Sequence, residues 1–84
     1  MTTYNDLLRA LERFSAASGI PAAIQHGSAA PGSLDLSRSP QGWRIIEHVG
    51  ESGERDVSPR MSAAELERAL DLAADLFRMT ATNR

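Results

Sequence analysis

The chain has 84 residues, a net charge of −2 and no cysteine, which makes residues 1–84 one small domain without disulfides or thiolate metal sites, as is typical of the reducing cytosol. Its basic residues are all arginine and are scattered along the sequence, so the basic stripe of a nucleic-acid-binding protein is absent. Because no apolar run approaches the roughly 20 residues of a membrane span and the N-terminus lacks a signal-peptide pattern, we expect a cytoplasmic protein without membrane contact.

The N-terminal segment has the pattern of an amphipathic helix. Its apolar residues recur at helical spacing, and they are Tyr4, Leu7, Leu8, Leu11 and Phe14. Thr2 or Thr3 is suited to cap this helix, and Gly19 is suited to end it in a left-handed conformation, before Pro21. The pattern therefore predicts a helix over roughly residues 3–18.

The middle of the chain, from Ile20 to Arg60, is punctuated by glycine, proline and serine and reads as short strands. The strongest strand is predicted at Trp43 to Val49, and Glu54 to Ser58 pairs with it across a glycine-flanked turn. Leu34 and Leu36 alternate with polar residues and predict a strand before them, while Ala22 to Ser28 is a candidate fourth strand. Such short loops cannot make parallel crossovers, so we expect an antiparallel meander.

The last helix is predicted from about Ala63 to Thr80. Ser62 and Glu65 are spaced to exchange hydrogen bonds in a capping box, and Met61 and Leu66 are placed for a hydrophobic staple across it. Its apolar arc is broad: Leu66, Ala69, Leu70, Ala73 and Phe77 form one stripe, and Leu72, Leu76 and Met79 extend it sideways. This width exceeds what covering one small sheet requires. Either the first helix covers the excess, or Leu72, Leu76 and Met79 mediate self-association or meet another protein.

These elements predict an α+β domain of α-β-β-β-α order, with three or four strands and both helices on one sheet face. The order resembles the double-stranded RNA-binding domain, whose last helix begins with a basic phosphate-binding motif. Here residues 58–65 hold one arginine and an acidic cap. We therefore keep the topology and expect no direct nucleic-acid binding, and an RNA-binding-like domain that lacks the basic motif ranks third among the functions considered.

A second resemblance rests on residues 42–49, which read Gly-Trp-Arg-Ile-Ile-Glu-His-Val, and on Ser-Pro-Arg-Met-Ser-Ala-Ala-Glu-Leu at residues 58–66. This half of the chain looks like the tail of short accessory proteins from temperate phages and prophages of Gram-negative bacteria, a size class that includes anti-CRISPR proteins. The motifs that carry it are structural, a hairpin and a cap, and they transfer no catalytic residue. The resemblance implies a protein that acts on host machinery by binding.

No constellation in the sequence predicts catalysis, a cofactor or a metal. His26 and His48 are the only histidines, and neither has the i, i+4 spacing of a helical zinc pair. The glycine-flanked serine of a hydrolase elbow and the glycine-lysine of a phosphate loop are both missing. We therefore expect a protein that is not an enzyme. Trp43 has two interpretations, a core residue or a binding anchor, and its strand face favours the core.

The hairpin between the last two strands is the remaining candidate site. Glu51, Glu54 and Asp56 cluster at its tip with Arg55, and Glu47 precedes the turn. These five residues, called the acidic hairpin below, form either a solvated loop that protects a sheet edge or an acidic surface that docks on a basic protein. The leading hypothesis is a phage-derived, non-enzymatic protein that modulates or inhibits a host protein complex in the bacterial cytosol, as a monomer or homodimer. The alternative is a self-associating structural subunit.

Overall fold

The computed structural model describes residues 1–23, 31–50 and 53–82. Its elements are α1 (Tyr4–Ser18), β1 (Leu34–Ser39), β2 (Gly42–Val49), β3 (Gly53–Asp56) and α2 (Ala63–Thr82). This confirms the predicted α+β class and the α-β-β-β-α order. The candidate strand at Ala22 to Ser28 lies mostly outside the described residues, and only Ala22 is seen to make a single parallel bridge, to Leu34.

The three strands form an antiparallel sheet with β2 in the centre. Leu36 pairs with Ile45 and Leu34 pairs with Glu47. Directly paired residues point to the same face and side chains alternate along a strand, so Leu34, Leu36, Trp43 and Ile45 share one face. β3 is shorter than predicted because the chain leaves the ladder after Asp56. The amides of Val57 and Ser58 nevertheless donate to the Ile45 carbonyl, which keeps the chain against β2.

Both helices begin with a capping box. The Thr3 hydroxyl accepts from the amide of Asp6, whose carboxylate accepts from the amide of Thr3, and Ser62 and Glu65 make the same exchange at 3.2 and 3.3 Å. Hydrogen bonds from Ser62 hold the pKa of Glu65 below its usual range, as those from Thr3 do for the pKa of Asp6. Because both pKa values are lowered in the folded state, this stabilisation is complete above the ordinary pKa values of 3.8 and 4.5 and is lost as the pH falls below them.

The core lies between the two helices and the apolar face of the sheet. Leu7 and Leu11 of α1 and Leu66 of α2 are fully buried, and Leu34 and Ile45 of the sheet are buried against them. Polar and aromatic contacts then follow along the helix pair: Thr2 bonds to Glu67, Arg13 to Asp71, and Phe14 lies edge-on against Phe77. Later residues of the first helical segment contact later residues of α2, so α1 and α2 run in the same direction.

The start of α2 is tied to the central strand by its backbone. Trp43 and Met61 exchange two backbone hydrogen bonds of 2.9 Å each. The approach is close at Gly42, where a Cβ atom would lie 2.7 Å from the Met61 carbonyl oxygen, and Gly42 has a φ of 129°. A residue without a side chain is therefore required beside Met61.

Ser62→Ala removes the hydroxyl that caps α2, so we expect a loss of about 1 kcal/mol of folding free energy, measured by urea denaturation. Thr80→Ala is the matched control, since the Thr80 hydroxyl bonds only to the Leu76 carbonyl within the helix. An unchanged midpoint for Ser62→Ala would contradict the contribution of the capping box.

Gly42→Ala places a methyl group against the Met61 backbone and forces a residue with a side chain into a positive φ. We expect it to destabilise the fold by about 2 kcal/mol, measured as a lower denaturation midpoint. Gly19→Ala has the unfavourable φ alone, with no atom within 4 Å of the added Cβ, and should cost less. Equal losses for the two variants would show that the contact with Met61 is unimportant.

Candidate functional site

The acidic hairpin is partly neutralised by arginines. Glu47 lies directly opposite Arg55, and its Oε1 accepts from Nε and Nη2 of Arg55 at 3.0 and 2.6 Å. Asp56 accepts from Arg44 at 3.1 Å. Glu54 is exposed and has no ion-pair partner among the described residues, while Glu51 lies outside them. The three described carboxylates and the two arginines that pair with them therefore sum to a net charge of −1.

His48 lies on the sheet face opposite the helices. Its Nε2 is 3.1 Å from Oδ2 of Asp35, and its side chain is only 14% exposed. Ile46 is buried on the same face. His26 lies outside the described residues. Across residues 1–23, 31–50 and 53–82, no group of three histidine, aspartate or glutamate side chains is arranged to hold a metal ion.

Trp43 packs at the edge of the core. Its ring stacks on Tyr4 with the ring centroids 5.6 Å apart, and the Arg38 guanidinium lies 5.6 Å from the ring centroid. Trp43 is partly buried against the core cluster, and its ring is in contact with neighbours of this chain. This agrees with the interpretation of Trp43 as a packing residue.

The apolar arc of α2 is divided between two environments. Leu66, Leu70 and Ala74 are buried, whereas every residue from Asp75 to Thr80 is exposed. The expectation that α1 covers the excess width is therefore wrong for Leu72, Leu76 and Met79. The reason is geometric: these side chains project from the side of α2 that faces away from α1.

These exposed side chains form a continuous strip. Leu72, Leu76 and Met79 are 61%, 53% and 59% exposed, and the exposed Ala69 continues their line toward the helix start. Ala69, Leu72, Leu76 and Met79 are called the apolar seam below. Beside it, Phe77 is 44% exposed even though its ring contacts Phe14.

An open groove lies beside the apolar seam and shares Leu76 with it. It has a volume of about 240 Å³ and is lined by Ala73, Leu76, Phe77 and Thr80. A second hollow of about 250 Å³ lies between the ends of the helices and is lined by Arg13, Ala16, Ala17 and Arg78. Neither lining holds a histidine, a carboxylate or a serine. The first groove is suited to apolar side chains and the second offers no general base.

The structure thus brings together the predicted residues Leu72, Leu76 and Met79, and the hairpin residues Glu47 and Arg55. Sequence reasoning placed Ala69, Ala73 and Phe77 in one stripe with Leu66 and Leu70, but Ala69 is exposed and the other two border the open groove. Helical spacing is the signal for the groove, because Ala73 and Phe77 lie three residues before Leu76 and Thr80 and therefore beside them on the helix.

Comparisons with known proteins add no relative. The chain matches no protein-family model, and neither the curated proteins nor the solved structures contain a significant match. None of the helices among the described residues is long and apolar enough to cross a membrane.

The hairpin charges should matter little for folding. We expect Glu54→Ser and Asp56→Ser each to change the free energy of unfolding by about 0.5 kcal/mol or less, because exposed charges contribute little. Glu47→Ser should cost about 1 kcal/mol, since Glu47 is less exposed and accepts two hydrogen bonds. Urea denaturation of the three variants measures this order, and a larger loss at Glu54 than at Glu47 would contradict it.

Proposed function

We propose that this chain is a non-catalytic protein-binding module whose contact surface is the apolar seam of α2. The observation that carries the proposal is the exposure of three large aliphatic side chains in one line. Soluble domains seldom expose contiguous apolar patches, and such patches are commonly protein-binding sites.

Packing within the described fold does not require apolar side chains at the seam. The buried side of the helix already supplies Leu66, Leu70 and Ala74 to the core. The charged residues of α2 border the seam without interrupting it: Asp75 pairs with Arg78, and Asp71, on another side of the helix, pairs with Arg13. Hydrophobic side chains that contribute nothing to the core are explained by a function in binding.

The acidic hairpin ranks second as a contact surface. Arginines neutralise Glu47 and Asp56, which weakens the attraction that a basic partner would feel. Glu54 is the described residue of the hairpin best placed to meet such a partner, because it is exposed and no described arginine forms an ion pair with it.

The class of partner follows from the resemblance of residues 42–49 and 58–66 to accessory proteins of temperate phages. On this ground we propose a bacterial host protein in the cytosol, such as a component of a CRISPR-type defence complex, whose activity the bound module modulates or inhibits. Self-association through the same seam is the second candidate, and the line of exposed leucines favours it directly.

The test compares proteins captured by tagged variants. Wild type, Leu76→Glu and Val57→Glu are used as bait in lysate of a Gram-negative bacterium that also expresses an untagged copy of the chain. Val57 is the matched control, since it is 51% exposed and lies after β3, outside the seam. We expect Leu76→Glu to lose the captured protein and Val57→Glu to retain it.

Thermal melts of the purified variants show whether both remain folded, as we expect for substitutions at exposed positions. Equal capture by wild type and folded Leu76→Glu would refute the seam as the contact surface. If Glu54→Ser loses the captured protein instead, the acidic hairpin takes its place.

A further inference from the structure

We infer that the apolar seam binds a second copy of this chain, so that two α2 helices pack antiparallel about a two-fold axis. This inference rests on the proposed function of the seam as a protein contact surface. It goes further because it selects the second candidate, a copy of the same chain, as the partner and states how the two copies are oriented.

The spacing of the seam matches a helix-to-helix contact. Ala69, Leu72, Leu76 and Met79 are separated by three, four and three residues. This is the spacing of the side chains that interlock when two helices pack side by side. The seam is also a narrow line along an exposed helix. A second helix can contact the whole of such a line, whereas a flat surface cannot interlock with it.

The seam is complementary to itself in one orientation. Leu72 and Leu76 are equally distant from its midpoint, and so are Ala69 and Met79. In an antiparallel pair each Leu72 therefore meets Leu76 of the other copy, and each long Met79 meets the small Ala69 of the other copy. A two-fold axis produces this reciprocal pairing.

The parallel orientation fits less well. It would place Met79 against Met79 at one end of the seam and Ala69 against Ala69 at the other. The helices would then be held apart at the methionines and leave a gap at the alanines, and unfilled space at a contact forfeits packing energy. Only the antiparallel pair gives an even separation along the seam.

The area is sufficient for a reversible dimer. From their exposed fractions, Leu72, Leu76 and Met79 each present roughly 100 Å², so two copies bury at most about 600 Å² of these side chains. Interfaces of this size are those of weak, transient associations, because specific stable interfaces begin near about 1,000 Å². We therefore expect a dimer that dissociates on dilution.

The surrounding charges do not oppose the association of identical surfaces. Asp75 lies one turn from Leu72 and Met79 and pairs with Arg78 at 2.6 Å. The exposed Glu65 and Arg68, one turn before Ala69 and Leu72, carry opposite charges. Each of these two pairs sums to zero charge, so two copies approach without net like-charge repulsion from these groups. Aliphatic contacts on a neutral background suit a second copy of the same seam.

The first experiment is sedimentation equilibrium on the full chain from about 1 µM to about 500 µM, the range in which a small interface dissociates. We expect wild type to shift from monomer to dimer across this range. Leu76→Arg should raise the dissociation constant at least about tenfold, because it places a charge in the centre of the contact. The control Val57→Arg should leave the dissociation constant unchanged.

The second experiment determines the orientation of the two helices. The chain has no native cysteine, so each introduced cysteine forms disulfides only with another introduced cysteine. Leu72→Cys and Leu76→Cys are prepared separately and oxidised alone or as an equal mixture. The antiparallel pair brings position 72 near position 76 of the other copy, so the mixture should form the mixed disulfide in preference to either homodimer. Preferential homodimers of each variant would overturn the antiparallel orientation.

The outcomes separate this inference from the proposed function. If wild type stays monomeric throughout, or if Leu76→Arg dimerises as well as wild type, a second copy is not the partner at the seam. Should Leu76→Glu nevertheless lose a different protein captured from lysate, the seam still binds protein and the proposed function stands. A monomer whose capture is insensitive to Leu76 refutes both.

Discussion

The backbone pairing of Trp43 with Met61 is the constraint on which the rest of the structure depends. It holds the start of α2 against the central strand, and the absence of a side chain at Gly42 permits the close approach. The capping box of Ser62 and Glu65 begins the helix directly after this anchor. With its origin and first turn set, α2 follows α1 in the same direction and places Leu66 in the core.

The exposed seam is a consequence of this arrangement. α2 packs through the side that carries the buried Leu66, Leu70 and Ala74. The side chains of the apolar seam project from the opposite side of the helix, where no described element covers them. A domain of this size cannot bury every apolar residue of so broad an arc, and these side chains therefore meet solvent.

Two of the carboxylates in the hairpin are paired with arginines, whereas an acidic docking surface would present unpaired carboxylates. Glu47 falls on the apolar face by strand alternation, and its carboxylate is satisfied by Arg55 on the neighbouring strand. Arg44 binds Asp56 on the other face. These pairs join β2 to β3 and leave Glu54 as the described hairpin acid without an arginine partner. The paired charges of the hairpin therefore contribute to the fold.

The sequence by itself determined the features that arise from neighbouring residues. The two helices, the β2–β3 hairpin, the left-handed end at Gly19 and the box of Ser62 and Glu65 depend on contacts a few residues apart, which propensity and spacing describe. Only the tertiary structure decided which side of α2 meets α1, and that Glu47 and Asp56 have arginine partners. Those outcomes depend on where distant elements lie in space. Helical periodicity predicts that Leu72 and Leu76 share a face, but it cannot say whether that face is covered, because coverage depends on the length and position of another helix.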